Sequence, residues 1–592
     1  MNLKVYVYLK ACYYISSMVR PESIRNNKWQ VAPVIPPVVR KKLDQYHPIL
    51  SQILYNRGLT EPAEVQAFLE GRYLKEIDPF LLAGMEQAVG RICRAIDEEE
   101  LIVVYGDFDA DGVTATVLLT EALRGLGVDR RLIRPYIPDR VDEGYGLNTG
   151  AIEKIREYGA GLIITVDCGI RSVAEVDFVN KLGMEIIITD HHSMGTKLPQ
   201  AAAVINPKRD DSAYPDRMLA GVGIAYKLAQ ALYAALPDRA SLDLDSLLDL
   251  VAVGTVADLA PLHNENRLLV IDGLKVLNQL QRPGISALAS VSGLKRGAIK
   301  AESIGFMLGP RINAAGRLQH AYSAARLLTA NNDMTARQLA NELNSLNRQR
   351  QQLTAELGEI AEEMVDPKDE IIIAYDERFQ SGLVGLVASR LAEKNYRPAI
   401  IIEKGEAVSR GSCRSIPEFH ITDALDQTAD LLVRHGGHAQ AAGFTVRNEN
   451  LEAFTTRMRQ LADETLSGQE LEPTIEIDAE IDLAEIDWAL YENLAMLEPT
   501  GQGNPAPVFL SRNVAVLYQR AVGQSSSHLQ LRLAPVTGSG LGRPIQAIAF
   551  RQGAWADMLP DTVDVVYTLG VNEWNGQRDL QLVVKDLQPA SD

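Results

Sequence analysis

Four short β-branched runs, LIVVY (101–105), GLIITV (161–166), EIIIT (185–189) and AAAVI (201–205), decide most of what this chain can become. None alternates apolar with polar residues, so each reads as a strand buried on both faces, as in a parallel sheet. Amphipathic stretches separate them, for example Val113 to Leu126, which ends in the stop signal Gly-Leu-Gly. This is the pattern of a doubly wound α/β domain, whose ligands bind at the carboxyl ends of the strands.

Those ends carry acids. Asp107, Asp109 and Asp111 follow LIVVY at spacing two, Asp167 follows GLIITV, and Asp190, His191 and His192 follow EIIIT. A single acidic turn is commonplace, and a lone His–His pair is more often structural than metal-binding. Repeated after three neighbouring strands, the same event brings carboxylates and imidazoles to one sheet edge, where they repel unless cations lie between them. Such ligands, without thiolate, favour Mn²⁺ or Mg²⁺ over structural zinc. This many acids suits two ions of the kind that clamp attacking and leaving oxygens in phosphate-ester hydrolysis. Cys168, beside Asp167, reads as a small buried residue. Asp258 ends the hydrophobic helix VAVGTVADLAPL and would be unremarkable alone.

The chain has 592 residues, too many for one core, and its pattern divides it. Residues 1–45 read as an N-terminal extension. The first 60 residues carry nine Lys/Arg against two acids, which is the mark of a solvated tail. Met18 is a second possible start, so residues 1–17 are either a start-site artefact or a floppy extension. The stretch Val5 to Val19 comes nearest to a membrane span, but Lys10 breaks it and no cleavage site follows. The doubly wound region and its helical continuation fill 46–332. A linking helix over 333–366 carries Leu339, Leu343, Leu346, Arg350, Leu353, Leu357, Ile360 and Met364 at 4-3-4-3 spacing. It is long enough to join two lobes, though the seam alone fits a helix packed on its own domain equally well. A second α/β unit follows over 367–466, then an all-β unit, barrel or sandwich, over 467–592.

Four cysteines without a CxxC pair exclude a disulfide framework and a thiolate zinc module, and suit a reducing cytosol. The net charge of −18 argues against nonspecific coating of nucleic acid, although a local basic groove outweighs a total. Residues 501–550 have that character: four Arg and no acid, against thirteen acids in 451–500. Phe509, Tyr518 and Trp574 are candidates for base stacking there, while most aromatics of a small barrel are core.

GDFDADG (106–112), TVDCG (165–169), TDHH (189–192) and VGTVADLAPL (253–262) resemble the four motifs of the DHH phosphoesterase superfamily. GPRINAAGRL (309–318), SGLVGLVASRL (381–391), GSCRS (411–415), GGHAQAAGF (436–444) and LEPTGQGNPAPVF (497–509) resemble its RecJ branch, in the right order. The resemblance implies a DHH domain, a DHHA1 domain and an OB-like domain. It implies metal ligation by Asp109, Asp111, Asp167, His191 and Asp258, with Asp167 bridging, and a place for His192 beside the metals, in contact with the scissile phosphate or the leaving group. Some relatives have a histidine where this chain has Tyr105; Asp107 is the candidate substitute ligand. Arg311, Ser412 and Arg414 match positions implied to hold a terminal 5′-phosphate, for which a guanidinium fork is suited. His438 follows two glycines that let backbone approach phosphate.

The activity so implied is 5′-to-3′ exonucleolytic hydrolysis of single-stranded DNA to 5′-mononucleotides, in repair and recombination. The implied protein is a cytoplasmic monomer using two Mn²⁺ or Mg²⁺ ions, without a membrane, with single-strand-binding protein and helicases as further partners. Two rival readings are a hydrolase of short oligoribonucleotides or cyclic dinucleotides, and a catalytically dead DNA-binding scaffold. The β extension argues against the first and the full acid set against the second.

Overall fold

The computed structural model describes residues 26–71, 77–140, 143–144, 146–538, 540–574 and 576–590. The expectations for residues 1–17 and for Val5 to Val19 fall outside them. Two compact units form. One is Gly71–Leu471 with Pro499–Asn504; the other combines the residues before Gly71 with Glu472–Glu498 and Pro505–Asp592.

The larger unit contains a five-stranded, all-parallel sheet in the order Ile133–Tyr136, Leu101–Tyr105, Ala160–Val166, Glu185–Thr189, Ala203–Ile205. Alternate residues of each strand enter different cores: Ile102, Val104 and Ile164 on one face, Val103, Tyr105 and Ile163 on the other. That is why the runs show no polar alternation. Chain order across the sheet is 2-1-3-4-5, so the direction of winding reverses between Leu101–Tyr105 and Ala160–Val166, where open α/β sheets bind ligands. The edge strand Ile133–Tyr136 was not among the expected runs. Pro135 reads against a strand, but an edge position tolerates it.

The helical continuation packs on one face of this sheet, and Asp333–Glu362 then forms a single 30-residue helix, about 45 Å long. Leu339, Leu343 and Leu346 belong to the core of the first lobe, while Leu357 and Ala361 belong to the core of the second. Arg350, the one polar member of the seam, falls between the two cores. The second lobe is a mixed sheet in the order Leu432–His438, Ala441–Arg447, Val408–Arg414, Ala399–Glu403, Ile372–Asp376, with only the last pair parallel.

In the smaller unit, Phe509–Val522, Thr562–Trp574, Gln577–Pro589, Ile545–Ala549 and His528–Thr537 pair in a closed ring, since the last also pairs with the first. Closure removes sheet edges and makes this a five-stranded barrel. The expected boundary at residue 46 does not hold. Lys28–Val31 pairs in parallel with Thr474–Ile477, and Leu43, Leu50, Ile53, Leu54 and Val65 are buried in the barrel's own core with Phe509 and Trp555. These helices carry no motif, and their apolar faces pass over the neighbouring domain to one more than 400 residues away in the chain. Cutting the chain at 474 would expose them, at roughly 1.5–3 kcal/mol for each large side chain. The β unit also does not begin cleanly at 467, because Pro499–Asn504 belongs to the larger unit. There Leu262 N–H donates to Gln502 O at 2.7 Å and Arg267 Nη1 to Pro499 O at 3.1 Å.

Candidate metal centre and phosphate site

The switch point of the parallel sheet gathers the acids. Asp109 caps the helix Ala110–Gly125, its Oδ1 accepting from Gly112 N–H at 3.0 Å. Asp111, one turn in, reaches a second helix: its Oδ2 accepts from Gly221 N–H at 2.7 Å and its Oδ1 from Val222 N–H at 2.8 Å, at the start of Gly221–Ala235. An anion at a helix N-terminus is favourably placed. Asp167 leaves its strand with φ +64°, a left-handed conformation uncommon for a non-glycine residue, and is almost wholly buried. Two glycines make room for these acids. A Cβ on Gly221 would lie 2.6 Å from Asp167 Oδ1, and one on Gly254 would lie 2.8 Å from Asp111 Oδ1.

Asp107, Asp109 and Asp167 bring ligand atoms within 4.8 Å of one another. So do Asp111, His191 and Asp258, and so do Asp167, His191 and His192. Asp167 is common to two of these trios, and so is His191. Oδ1 of Asp107, Oδ1 of Asp167 and Nε2 of His191 are buried and make no hydrogen bond, although the last two lie only 3.1 Å apart. Buried polar atoms left in this way are costly unless a cation completes them. The donor set of oxygen and imidazole nitrogen fits Mn²⁺ or Mg²⁺. Cys168 does not compete. Its buried thiol faces Tyr105 O, and burial pushes its ionisation well up.

The electrostatics carry the same message. Burial, then the charge of Asp109, lifts Asp107 well above the carboxylate range and Asp111 to about 7. Burial and then Asp111 lift Asp167 well up and Asp258 to about 9. Burial, then His192, holds His191 neutral, at about 3. Tyr105 does not join the site: its hydroxyl donates to Gly146 O at 2.9 Å and its ring stacks on Tyr136.

His192 is set by a residue absent from the expected ligand set. Asp190 Oδ1 takes His192 Nδ1 at 2.8 Å and its backbone N–H at 3.0 Å, while Asp190 Oδ2 accepts from Ile170 N–H at 2.9 Å. Burial opposes a charge on His192, but the hydrogen bond and charge of Asp190 outweigh it and raise the imidazole's pKa. The TDHH run contained this signal, since an acid two residues before a histidine can reach its backbone and ring together. We expect Asp190→Asn to lower kcat about ten- to hundredfold. It should also move the basic limb of the pH–rate profile to lower pH, with Mn²⁺ affinity measured by calorimetry nearly unchanged.

Around the acids stand cations that the motifs did not single out. Arg140 is mostly buried, packs over the Phe108 ring at 4.0 Å and faces Asp107 and Asp109. Arg317 donates to Gly382 O at 2.9 Å and lies among Arg140, Arg350, Arg414 and Asp109. Lys208 Nζ donates to His191 O at 2.5 Å. Asn313 Oδ1 accepts from Ala110 N–H at 2.7 Å, tying the helix Gly309–Leu318 to the acidic loop.

Ser412 and Arg414 sit two apart on Val408–Arg414, with Arg414 Nη1 3.3 Å from Ser412 Oγ. Gly385, in the first turn of Val384–Asn395, faces both; a Cβ there would lie 3.2 Å from Ser412 Oγ and 3.4 Å from Arg414 Nη2. The motif SGLVGLVASRL thus brings a helix N-terminus to the same spot, a favourable setting for an anion. Arg311 faces elsewhere. It donates to Asn344 Oδ1 at 3.1 Å and Met307 O at 2.7 Å, and the arginine of its motif beside Arg414 is Arg317. His438 ends the exposed strand Leu432–His438, its carbonyl accepting from Thr422 Oγ1 at 2.7 Å. On the barrel, Phe509 is core and Tyr518 is exposed, in register with the exposed Arg532 and, beyond it, Gln546. The side chain of Trp574 is outside the described residues.

Three family models match the chain: the DHH family N-terminal domain over 101–255, the DHHA1 domain over 368–464 and the RecJ OB domain over 477–586. The chain is 37% identical to the single-stranded-DNA-specific exonuclease RecJ of Dickeya dadantii, over 93% of this chain and 98% of that one. It is 36% identical to that of Escherichia coli, over 92% and 96%. The crystal structure of Thermus thermophilus RecJ with Mn²⁺ matches at TM-score 0.80 and 31% identity, over 95% of this chain and 80% of that one. The same protein with Mg²⁺ matches at TM-score 0.75 and 29% identity, over 95% and 79%.

Proposed function

Because the chain belongs to the RecJ family, we propose that it is a single-stranded-DNA-specific exonuclease that works 5′ to 3′ and releases 5′-mononucleotides by metal-dependent hydrolysis. The observation that carries this reading is the buried cluster of Asp107, Asp109, Asp111, Asp167, His191 and Asp258, whose acids repel one another and whose inner atoms lack partners. Asp109, Asp111, Asp167, His191 and Asp258 would hold two Mn²⁺ or Mg²⁺ ions, with Asp167 between them and Asp107 in place of the histidine that Tyr105 replaces. When bound, such ions polarise the phosphate and lower the pKa of water at the site.

The chain's own groups do the rest. Asp190 fixes His192 with Nδ1 toward itself, so that Nε2 is the nitrogen offered to the scissile phosphate. A raised pKa keeps a proton available there for the leaving 3′-oxygen. Arg140, facing Asp107 and Asp109, adds positive charge where negative charge grows in the transition state.

Polarity follows from anchoring. Ser412, Arg414, the first turn of Val384–Asn395 and Arg317 would hold the 5′-phosphate, with Arg311 supporting the wall through Asn344 and His438 at the rim. Losing one charged hydrogen bond costs ~1.5–3 kcal/mol, or about ten- to hundredfold. Arg414→Ala should slow single-turnover attack on a 5′-phosphorylated strand by about that factor, and on a 5′-hydroxyl strand much less. Arg311→Ala should leave the ratio between the two ends near the parent's.

The barrel supplies a platform for the rest of the strand, with Tyr518 beside Arg532 as its stacking residue. We further propose a cytoplasmic monomer acting in repair and recombination with single-strand-binding protein and helicases; among the described residues no helix is long and apolar enough to cross a membrane. A gel with end-labelled single strand, duplex and RNA, with and without Mn²⁺, tests the whole reading. Loss of label from the 3′ end, or equal attack on duplex, would overturn it.

A further inference from the structure

Asp258 is held differently from the other acids of the cluster. Asp107 and Asp167 leave strands of the parallel sheet, and Asp109 and Asp111 start the helix that follows the first of them. Asp258 instead closes the helix Leu248–Ala257, at the head of a short loop that runs to the helix Asn264–Leu277. Leu259 and Asn264, at the two ends of that loop, hold φ +59° and +42°. Left-handed backbone at such residues persists only where the surroundings over-determine it.

The surroundings here centre on Asn266, which is wholly buried. Its Nδ2 donates to Met218 O at 2.6 Å and to Pro261 O at 3.2 Å. Pro261 lies three residues after Asp258, in the same loop. Met218 lies three residues before Gly221, whose N–H, with that of Val222, seats the carboxylate of Asp111. One side chain therefore links the segment that seats Asp111 to the segment that follows Asp258. Asp216 doubles the link: its Oδ1 accepts from Met218 N–H at 2.9 Å and its Oδ2 from Glu265 N–H at 3.1 Å.

Stability alone explains Asn266 poorly, because its Oδ1 is buried without a hydrogen bond, and an unmet acceptor in the interior is a cost. What an apolar residue could not do is bridge two carbonyls from separate segments. Those segments carry two members of one ligand trio, Asp111 and Asp258, completed by His191. The trio of Asp107, Asp109 and Asp167 contains neither.

We propose that Asn266 is a positioning residue of the metal centre: it sets the spacing of Asp111 and Asp258, and with it the affinity and ion preference of the site they share with His191. The proposal rests on the metal-dependent reading above. Mg²⁺ demands near-ideal octahedral geometry, which makes it the stricter probe of ligand spacing.

The test is calorimetric titration of the full chain with Mn²⁺ and with Mg²⁺, in the parent and in three variants. In Asn266→Ala one Mn²⁺ site should weaken roughly tenfold while the other keeps the parent's affinity, and the loss should be larger for Mg²⁺. Turnover of this variant should recover at saturating Mn²⁺. Asp216→Asn loosens the same link and should shift the same site in the same direction by a smaller factor. Tyr214→Phe removes a hydroxyl that donates to the buried Glu265, next to Asn266 in the chain. It should lower the melting temperature and leave both ion affinities at the parent's values. Unchanged affinities in Asn266→Ala, equal weakening of both sites, or the same shift in Tyr214→Phe overturns the proposal. Should the alanine variant fail to fold, Asp216→Asn decides on the same criteria. A parent that binds neither ion overturns the metal-dependent reading instead.

Discussion

Asp167→Ala is expected to abolish hydrolysis, lowering kcat at least roughly a thousandfold, or about 4 kcal/mol of transition-state stabilisation. Asp167 is shared by two ligand trios, so its loss disrupts both at once. Binding of single strands should fall only a few-fold, because Ser412, Arg414 and the barrel are untouched. The variant should also melt no lower than the metal-free parent, since the lost group is a buried carboxylate crowded by Asp111 and Asp109. Steady-state rates, strand binding by anisotropy and calorimetric melting check the three statements. Near-parent turnover in Mn²⁺ would show that the centre lies elsewhere.

Metal removal should have the second-largest effect, and its size should depend on pH. Asp111 and Asp258 titrate in the metal-free fold near 7 and 9, above their unfolded values near 4. Between those limits the folded chain holds more protons than the unfolded one, so stability falls as pH rises. This contribution is fully present below about pH 4 and is lost as pH passes 7 and then 9. Cations replace those protons. Chelation should therefore abolish activity at any pH, while the rise in melting temperature on adding Mn²⁺ should be larger at pH 8.5 than at pH 5.5. A shift independent of pH would mean that these acids do not bind the ion.

The site was more legible in the sequence than the division into domains. Acids placed directly after buried strands need no long-range information, because a parallel sheet brings successive strand ends to one edge. Asp107, Asp109, Asp111, Asp167, His191 and His192 could be grouped on that ground, and Asp258 joined them through its motif. Arg140 was missed because it follows the strand that Pro135 disguised. Arg317 was passed over for Arg311, six residues earlier in the same motif, because the choice depends on which side of one helix meets the second lobe. The helices before Gly71 read as belonging to the domain that follows them, since an amphipathic face says that it needs a partner and not which one. Sheet order in the second lobe was likewise hidden, as its strands pair across long separations in the chain.

The helix Asp333–Glu362 makes its own length a heritable constraint. Its first half is fastened in one core and its second half in another, with Arg350 at the changeover. Inserting one residue near that point would turn one half by about 100° against the other, and every buried leucine downstream would face the wrong way. Insertion of seven residues restores the facing to within about 20° but lengthens the rod by about 10 Å, carrying Ser412 and Arg414 away from the acids. Descendants of this sequence can exchange the exposed side chains along the helix, yet they cannot easily change the count of residues between Leu346 and Leu357. That count works as a ruler between the lobe that carries Ser412 and Arg414 and the lobe that carries the acids.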